Sequence, residues 1–209
     1  MRIVGGTLSG RKIEPPLSMV TRPMMDRVRE ALFNILAHRD WGKNIGDVFA
    51  EDIAVLDAFC GTGALAFEAI SWGAGQATLF DKDMEALKIA RQNAATLGIT
   101  DKCQILSADV TMPPPAQSRL RGASEAGVPQ SSRAQLNPGT PCKLVFLAPP
   151  YRKGLIPPAF LALDTAGWIA PHAVIVAETA KKEAFEALPE CEVVVERSYA
   201  DTTLRFMVK

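Results

Sequence analysis

The chain has 209 residues, 48% of them apolar, with 23 Lys or Arg against 23 Asp or Glu; this fits one domain of ordinary size with a full core and excludes a global field for polyanions. No apolar run is long enough to span a bilayer. The four cysteines form no CxxC pair and the two histidines are isolated, which argues against zinc and for reduced, packed thiols in a cytoplasmic protein without metal.

The chain opens with "MRIVGGTLSGRKIEPP", two short strand-like pieces around Gly5-Gly6 and Ser9-Gly10, which reads as a hairpin appendage. "TRPMMDRVREALFNILAHRD" follows as a helix: Thr21 can cap it, Pro23 suits its first turn, and Val28, Leu32, Ile35 and Leu36 share a face. Residues 1–43 hold eight cations and four acids, whereas the other 166 hold 15 and 19. This basic front end is a candidate anion-binding surface. An internal pair such as Arg27 with Glu30 is also expected on the helix.

From residue 53 the rhythm becomes strand, helix, strand. "IAVLDAF" and "QATLFDKD" read as buried strands around the helix "GALAFEAISWGA". "MEALKIARQNAATLGI" is an amphipathic helix with Leu87, Ala90, Ala94 and Leu97 in register, stopped by Gly98. "KCQILSAD" and "KLVFLAPPY" are the third and fourth strands, "PPAFLALDTAGWI" a helix, "HAVIVAET" a fifth strand, and "CEVVVERSYADTTLRFMVK" a closing hairpin. Alternation of this kind predicts a parallel sheet covered on both faces, with one antiparallel strand added by the hairpin. Residues 111–141, rich in Pro, Ser, Gly and Ala, read as a flexible insertion.

"VLDAFCGTGALAFEA" sets Asp57 at a strand end and Gly61 and Gly63 before a helix. Small residues admit a ligand to the backbone, and the helix N-terminus offers free N–H groups. Asp81 ends the next strand and suits ribose hydroxyls; Asp109, after the third, suits an adenine amine. Phe59 and Lys82, their neighbours, complete the candidate cofactor set. The loop also fits the G-x-G-x-x-G/A pattern of a nicotinamide oxidoreductase. Asp57 speaks against that reading, because it would repel a pyrophosphate and attract the sulfonium and ammonium of S-adenosylmethionine. So does Pro149-Pro150-Tyr151, for which hydride transfer has no use.

The series "RIVGGTLSGRKI", "TRPMMDRVREALFNIL", "LDAFCGTGALAFEAISWGA", "LFDKD" and "LVFLAPPYRKGL" resembles the bacterial RsmD-type methyltransferases over nearly the whole chain, loosest across 111–141 and the last forty residues. The resemblance implies a seven-stranded Rossmann-like α/β methyltransferase sheet with helices on both faces (residues 44–209) and a small N-terminal hairpin and helix (residues 1–43) on the RNA-binding side. It implies S-adenosylmethionine as donor, a guanine N2 amine of small-subunit (16S) ribosomal RNA as acceptor, and a cytoplasmic role in ribosome assembly; a monomer is the expected state. An N6-adenine or N4-cytosine enzyme is the alternative within the class.

Such enzymes carry (D/N)-P-P-(Y/F) after the fourth strand. An exocyclic base amine is nearly planar and a poor nucleophile; acceptors around its N–H groups favour attack while an aromatic ring stacks on the flipped base. The resemblance places Ala148, Pro149, Pro150 and Tyr151 in that catalytic motif, with Tyr151 as the stacking platform. Ala148 departs from the pattern: its methyl group accepts nothing. The enzyme is then slow with substitute acceptors, or an RNA-binding assembly factor without turnover, or altered at this position. Arg11, Lys12, Arg22, Arg27 and Arg29 at the front, with Arg152 and Lys153 after the motif, are the candidate phosphate contacts.

Overall fold

The computed structural model describes residues 1–16, 24–116 and 139–209. The Thr21 cap, Pro23, Arg22 and most of the insertion (residues 117–138) lie outside them. Seven strands form one sheet: β1 (Ala54–Asp57), β2 (Gln76–Asp81), β3 (Cys103–Ser107), β4 (Cys142–Leu147), β5 (Ile169–Ala180), β6 (Glu192–Tyr199) and β7 (Thr202–Val208), in the order β3-β2-β1-β4-β5-β7-β6. Neighbouring strands from β3 to β5 are parallel, and β7 runs antiparallel to both β5 and β6. The closing hairpin thus supplies the antiparallel strand that the sequence predicts. The chain order turns back at β1 and β4, so ligand chemistry belongs at their carboxyl ends.

Successive residues of the central strands feed two cores, as the pleat requires. Val55, Leu144, Phe146, Val174 and Val176 face α1 (Asp26–His38), α2 (Ala64–Trp72) and α3 (Met84–Leu97). Leu56, Val145, Leu147 and Ile175 face α4 (Ile156–Thr165) and Trp168. Helix α1 begins at Asp26 and buries Val28, Leu32, Phe33 and Leu36. Phe33, rather than the half-buried Ile35, completes its buried face, stacked 5.8 Å from Phe49 and tilted 5.8 Å from Phe146. Helix α3 starts on the Asp83 carboxylate, which accepts the Glu85 and Ala86 N–H groups, and stops at Gly98 in the left-handed region (φ 72°).

The N-terminal loop closes on an antiparallel bridge between Arg2 and Lys12 around a short 3-10 turn, Gly6–Leu8. It lies hard against α2. A side chain on Gly6 would meet the Ser71 carbonyl oxygen at 2.0 Å, and φ 69° there already favours glycine. Ser71 Oγ donates to Gly5 O at 2.5 Å and accepts the Leu8 N–H at 2.9 Å. Farther along, buried Asn93 of α3 accepts the Glu14 N–H (2.7 Å) and donates to both Glu14 O and Thr62 O (3.1 Å each).

One charged pair lies at the centre of this packing, and it corrects an expectation. Arg29 is not available to RNA: it is fully buried, with Nε on Glu68 at 2.8 Å, Nη2 on Asp26 at 2.9 Å and on Arg2 O at 2.5 Å. Glu68, equally buried, also accepts the Val4 N–H at 2.7 Å and the Gly5 N–H at 3.3 Å. The internal pairing expected of the front arginines therefore falls on Arg29. A guanidinium out of water needs a partner for each fork, and α2 supplies the carboxylate. Burial pushes the Glu68 carboxyl up, while Arg29 and the two amides pull it down.

Candidate active site

The carboxyl ends of β1, β2, β4 and β5 gather most of the residues singled out by sequence. After β1 the chain turns through Gly61 (φ 52°) and Gly63 (φ 88°) into α2. Gly63 is required twice over: its conformation is left-handed, and a Cβ would stand 2.3 Å from the Phe67 ring. At Gly61 nothing lies within 4 Å of where a side chain would begin, so the turn leaves open space against its backbone.

Asp57 is buried behind this turn. Its Oδ2 accepts the Ala66 N–H of the first turn of α2 at 3.2 Å, while its Oδ1 is buried without a hydrogen-bond partner. Burial pushes its pKa up to about 7, helped by the Asp81 charge and opposed by the Ala66 and Phe59 amides. A carboxylate already at the N-terminus of α2 would repel the pyrophosphate of a dinucleotide, and an unmatched buried carboxylate oxygen suits a cation. Asp81 takes the Gly61 N–H on Oδ2 (2.8 Å) and the Asp83 N–H on Oδ1 (3.0 Å), tying the turn to the tip of β2. Lys82 is exposed beside it and Phe59 is half-buried. Asp109, exposed after β3, accepts the Thr111 N–H and hydroxyl at 2.9 and 2.7 Å, and these bonds hold its carboxyl below the usual range.

Beyond β4, Ala148 is half-buried against the core, Pro149 is buried and Pro150 exposed. Tyr151 is half-buried, and its hydroxyl donates to Glu178 Oε1 at 2.5 Å and lies 2.6 Å from Thr202 Oγ1. The ring is therefore set by β5 and β7. Glu178 and Thr202 are site residues that the sequence reading missed; the one signal was a Glu-Thr pair ending the apolar run "HAVIVAET". Pro149, Pro150, Tyr151, Glu178, Glu183 and Phe185 line a common cleft. Glu183 closes it by accepting the Arg152 and Ala180 N–H groups at 2.8 and 3.1 Å.

Of the other candidate cations, Lys12, Arg27, Arg152 and Lys153 are exposed. Arg11 donates to the Leu97 and Thr96 carbonyls at 2.7 and 2.5 Å, anchoring the N-terminal loop on the end of α3. Burial pushes the Cys103 and Cys142 thiols up to about 12, so neither is a nucleophile at neutral pH. No helix among the described residues is long and apolar enough to cross a membrane.

The family described as Conserved hypothetical protein 95 matches residues 1–208. Ribosomal RNA small subunit methyltransferase D of Escherichia coli (strain K12) is 33% identical over 191 residues, covering 90% of this chain and 79% of its own length. This chain belongs to that family. The enzyme of the same name from Haemophilus influenzae is 30% identical over 181 residues, covering 87% and 79% of the two chains. Among solved structures, a hypothetical protein of Thermus thermophilus matches at TM-score 0.67 and 27% identity, covering 99% of this chain and 98% of that one. An RNA methyltransferase of Salinibacter ruber, solved with S-adenosyl-L-homocysteine, matches at TM-score 0.59 and 12% identity over 89% and 92%, which shows the fold alone. The seven-stranded α/β sheet that the sequence predicts is thus present in this chain.

Proposed function

We propose that this chain transfers a methyl group from S-adenosylmethionine to the exocyclic N2 amine of a guanine in small-subunit ribosomal RNA. The observation that carries the reading is Asp57: a buried carboxylate oxygen without a partner, on the strand that leads into the glycine turn, in a family that includes ribosomal RNA methyltransferases. When bound, S-adenosylmethionine supplies an activated methyl group on a sulfonium. Asp57 answers its positive end and Gly61 and Gly63 admit it against the backbone, with Phe59 and Lys82 as flanking neighbours. Asp81 takes ribose hydroxyls, and Asp109 the adenine amine. The Pro149-Pro150 turn and Tyr151 hold the flipped base, so that much of the rate comes from positioning.

Residues 1–43 form the RNA-binding side in this proposal, with Lys12 and Arg27, and with Arg152 and Lys153 from the motif, on phosphates; the enzyme acts as a cytoplasmic monomer. Ala148 favours a second reading, an assembly factor that holds RNA without turnover. Labelled methyl transfer to small subunits that lack the modification, followed by nucleoside digestion, tests both. Label in N2-methylguanosine is the expected result. Label in a methylated adenine or cytosine, or none at all, overturns the proposed reaction.

A further inference from the structure

The missing acceptor at position 148 has a replacement in the neighbouring strand. In the β4–β5 ladder Phe146 stands beside Val176 and Leu147 beside Ala177. Continued one residue past its last pair, this register sets Ala148 level with Glu178. In parallel strands, residues at one level point to the same face. Phe146 and Val176 belong to one core cluster, and Ala148 packs against it. The Glu178 carboxyl therefore leaves the sheet on the side where an Asp or Asn at 148 would have placed its own. Because a glutamate is one methylene longer, it reaches past the end of the sheet to the Tyr151 hydroxyl.

Glu178 also lines the cleft formed by Pro149, Pro150 and Tyr151. Its carboxylate has about four lone-pair sites, and the Tyr151 and Thr202 hydroxyls take only two of them.

We propose that Glu178 is the carboxylate acceptor for the target amine, doing across the β4–β5 ladder what Ala148 cannot do within the motif. This rests on the proposed amine methylation. In the transfer step the amine nitrogen forms the new N–C bond with its lone pair, the S–C bonding pair stays with sulfur, and the nitrogen sheds one proton. Glu178 accepts that N–H beforehand and receives the proton as the bond forms. Burial pushes the Glu178 carboxyl up, which suits a group that must take a proton, while the two hydroxyls pull it down.

The experiment compares the wild type with Glu178→Ala, Glu178→Gln, Tyr151→Phe, Ala148→Asp and the double variant Ala148→Asp/Glu178→Ala. Each is scored for methyl transfer to undermodified small subunits, for affinity toward S-adenosylhomocysteine by calorimetry, and for melting temperature. Removing a preorganised polar contact of this kind lowers the rate about 10²–10³-fold. The expected result is a loss of that size in Glu178→Ala, at least tenfold beyond that of Tyr151→Phe, with S-adenosylhomocysteine affinity unchanged. The isosteric Glu178→Gln serves if Glu178→Ala does not fold. Adding Ala148→Asp restores at least tenfold of the lost rate, whereas Ala148→Asp alone gives no gain, because two carboxylates would then face one amine.

A Glu178→Ala rate equal to that of Tyr151→Phe would mean that Glu178 only tethers the ring, and the proposal falls. It also falls if the double variant recovers nothing, or if the wild type is inactive and Ala148→Asp alone is active. Inactivity of every variant on every base overturns the methylation reading itself, and the role of Glu178 with it.

Discussion

Two buried carboxylates on the two flanks of α2 have opposite surroundings. Glu68, on the side of the N-terminal loop, is met by an arginine and two backbone amides. Asp57, at the front of the same helix, has one oxygen on Ala66 and the other on nothing. Both are taken from water at a cost, and only Glu68 recovers it within the chain. A saturated buried charge reports how the chain is fastened together. An unsaturated one is where the proposed donor's positive end would find its partner.

The largest effect should come from breaking the saturated side. Arg29→Ala leaves Glu68 buried and uncompensated and should cost about 3–5 kcal/mol of folding stability, read as a fall in the urea midpoint. A loss as small as that of an exposed arginine would mean that the two carboxylates are not different in kind. Next comes the unsaturated side. Asp57→Asn removes the charge while keeping the shape; it should weaken S-adenosylmethionine binding about 10–100-fold by calorimetry, the equivalent of losing one charge-assisted hydrogen bond. Its stability at pH 8 should hold or rise, the reverse of Arg29→Ala.

The last contrast is in pH. The folded chain keeps the Asp57 proton up to about 7, whereas the unfolded chain gives it up near the ordinary value of 3.8. The stability contributed by this group is therefore full below about pH 4 and is lost as pH rises through 7. Ligand binding runs the other way, because the cation needs the ionised form. Affinity for S-adenosylmethionine should climb up to about tenfold per pH unit below 7 and level off above it, and Asp57→Asn should flatten both trends. An affinity that does not vary between about pH 5.5 and 8 would place the cationic end of the ligand elsewhere.

What the sequence made legible was local. "IAVLDAF", "QATLFDKD" and "KLVFLAPPY" announce strands because both faces are apolar, and Asp57, Asp81 and Tyr151 stand out because polar or aromatic groups end such runs. What it concealed was long-range. Arg29 looks like a surface cation in "DRVREAL", and its partner Glu68 is 39 residues away. The clue was a lone acid inside the otherwise apolar "GALAFEAISW", a helix buried on nearly every side. Glu178 was hidden for the same reason: its tie to Tyr151 spans 27 residues and depends on the register of β4 against β5. Phe33 outranks Ile35 because α1 sits on a cluster of aromatic rings that periodicity alone does not reveal.

Asn93 has a mechanical consequence. One amide group grips Glu14, at the exit of the opening segment, and Thr62, inside the glycine turn. Unpeeling either strip of backbone strands a donor in a dry place, so the two should loosen together as one cooperative patch. Deuterium uptake at the Glu14 amide is therefore a gauge of how firmly the glycine turn is held, read from the other end of the same side-chain amide.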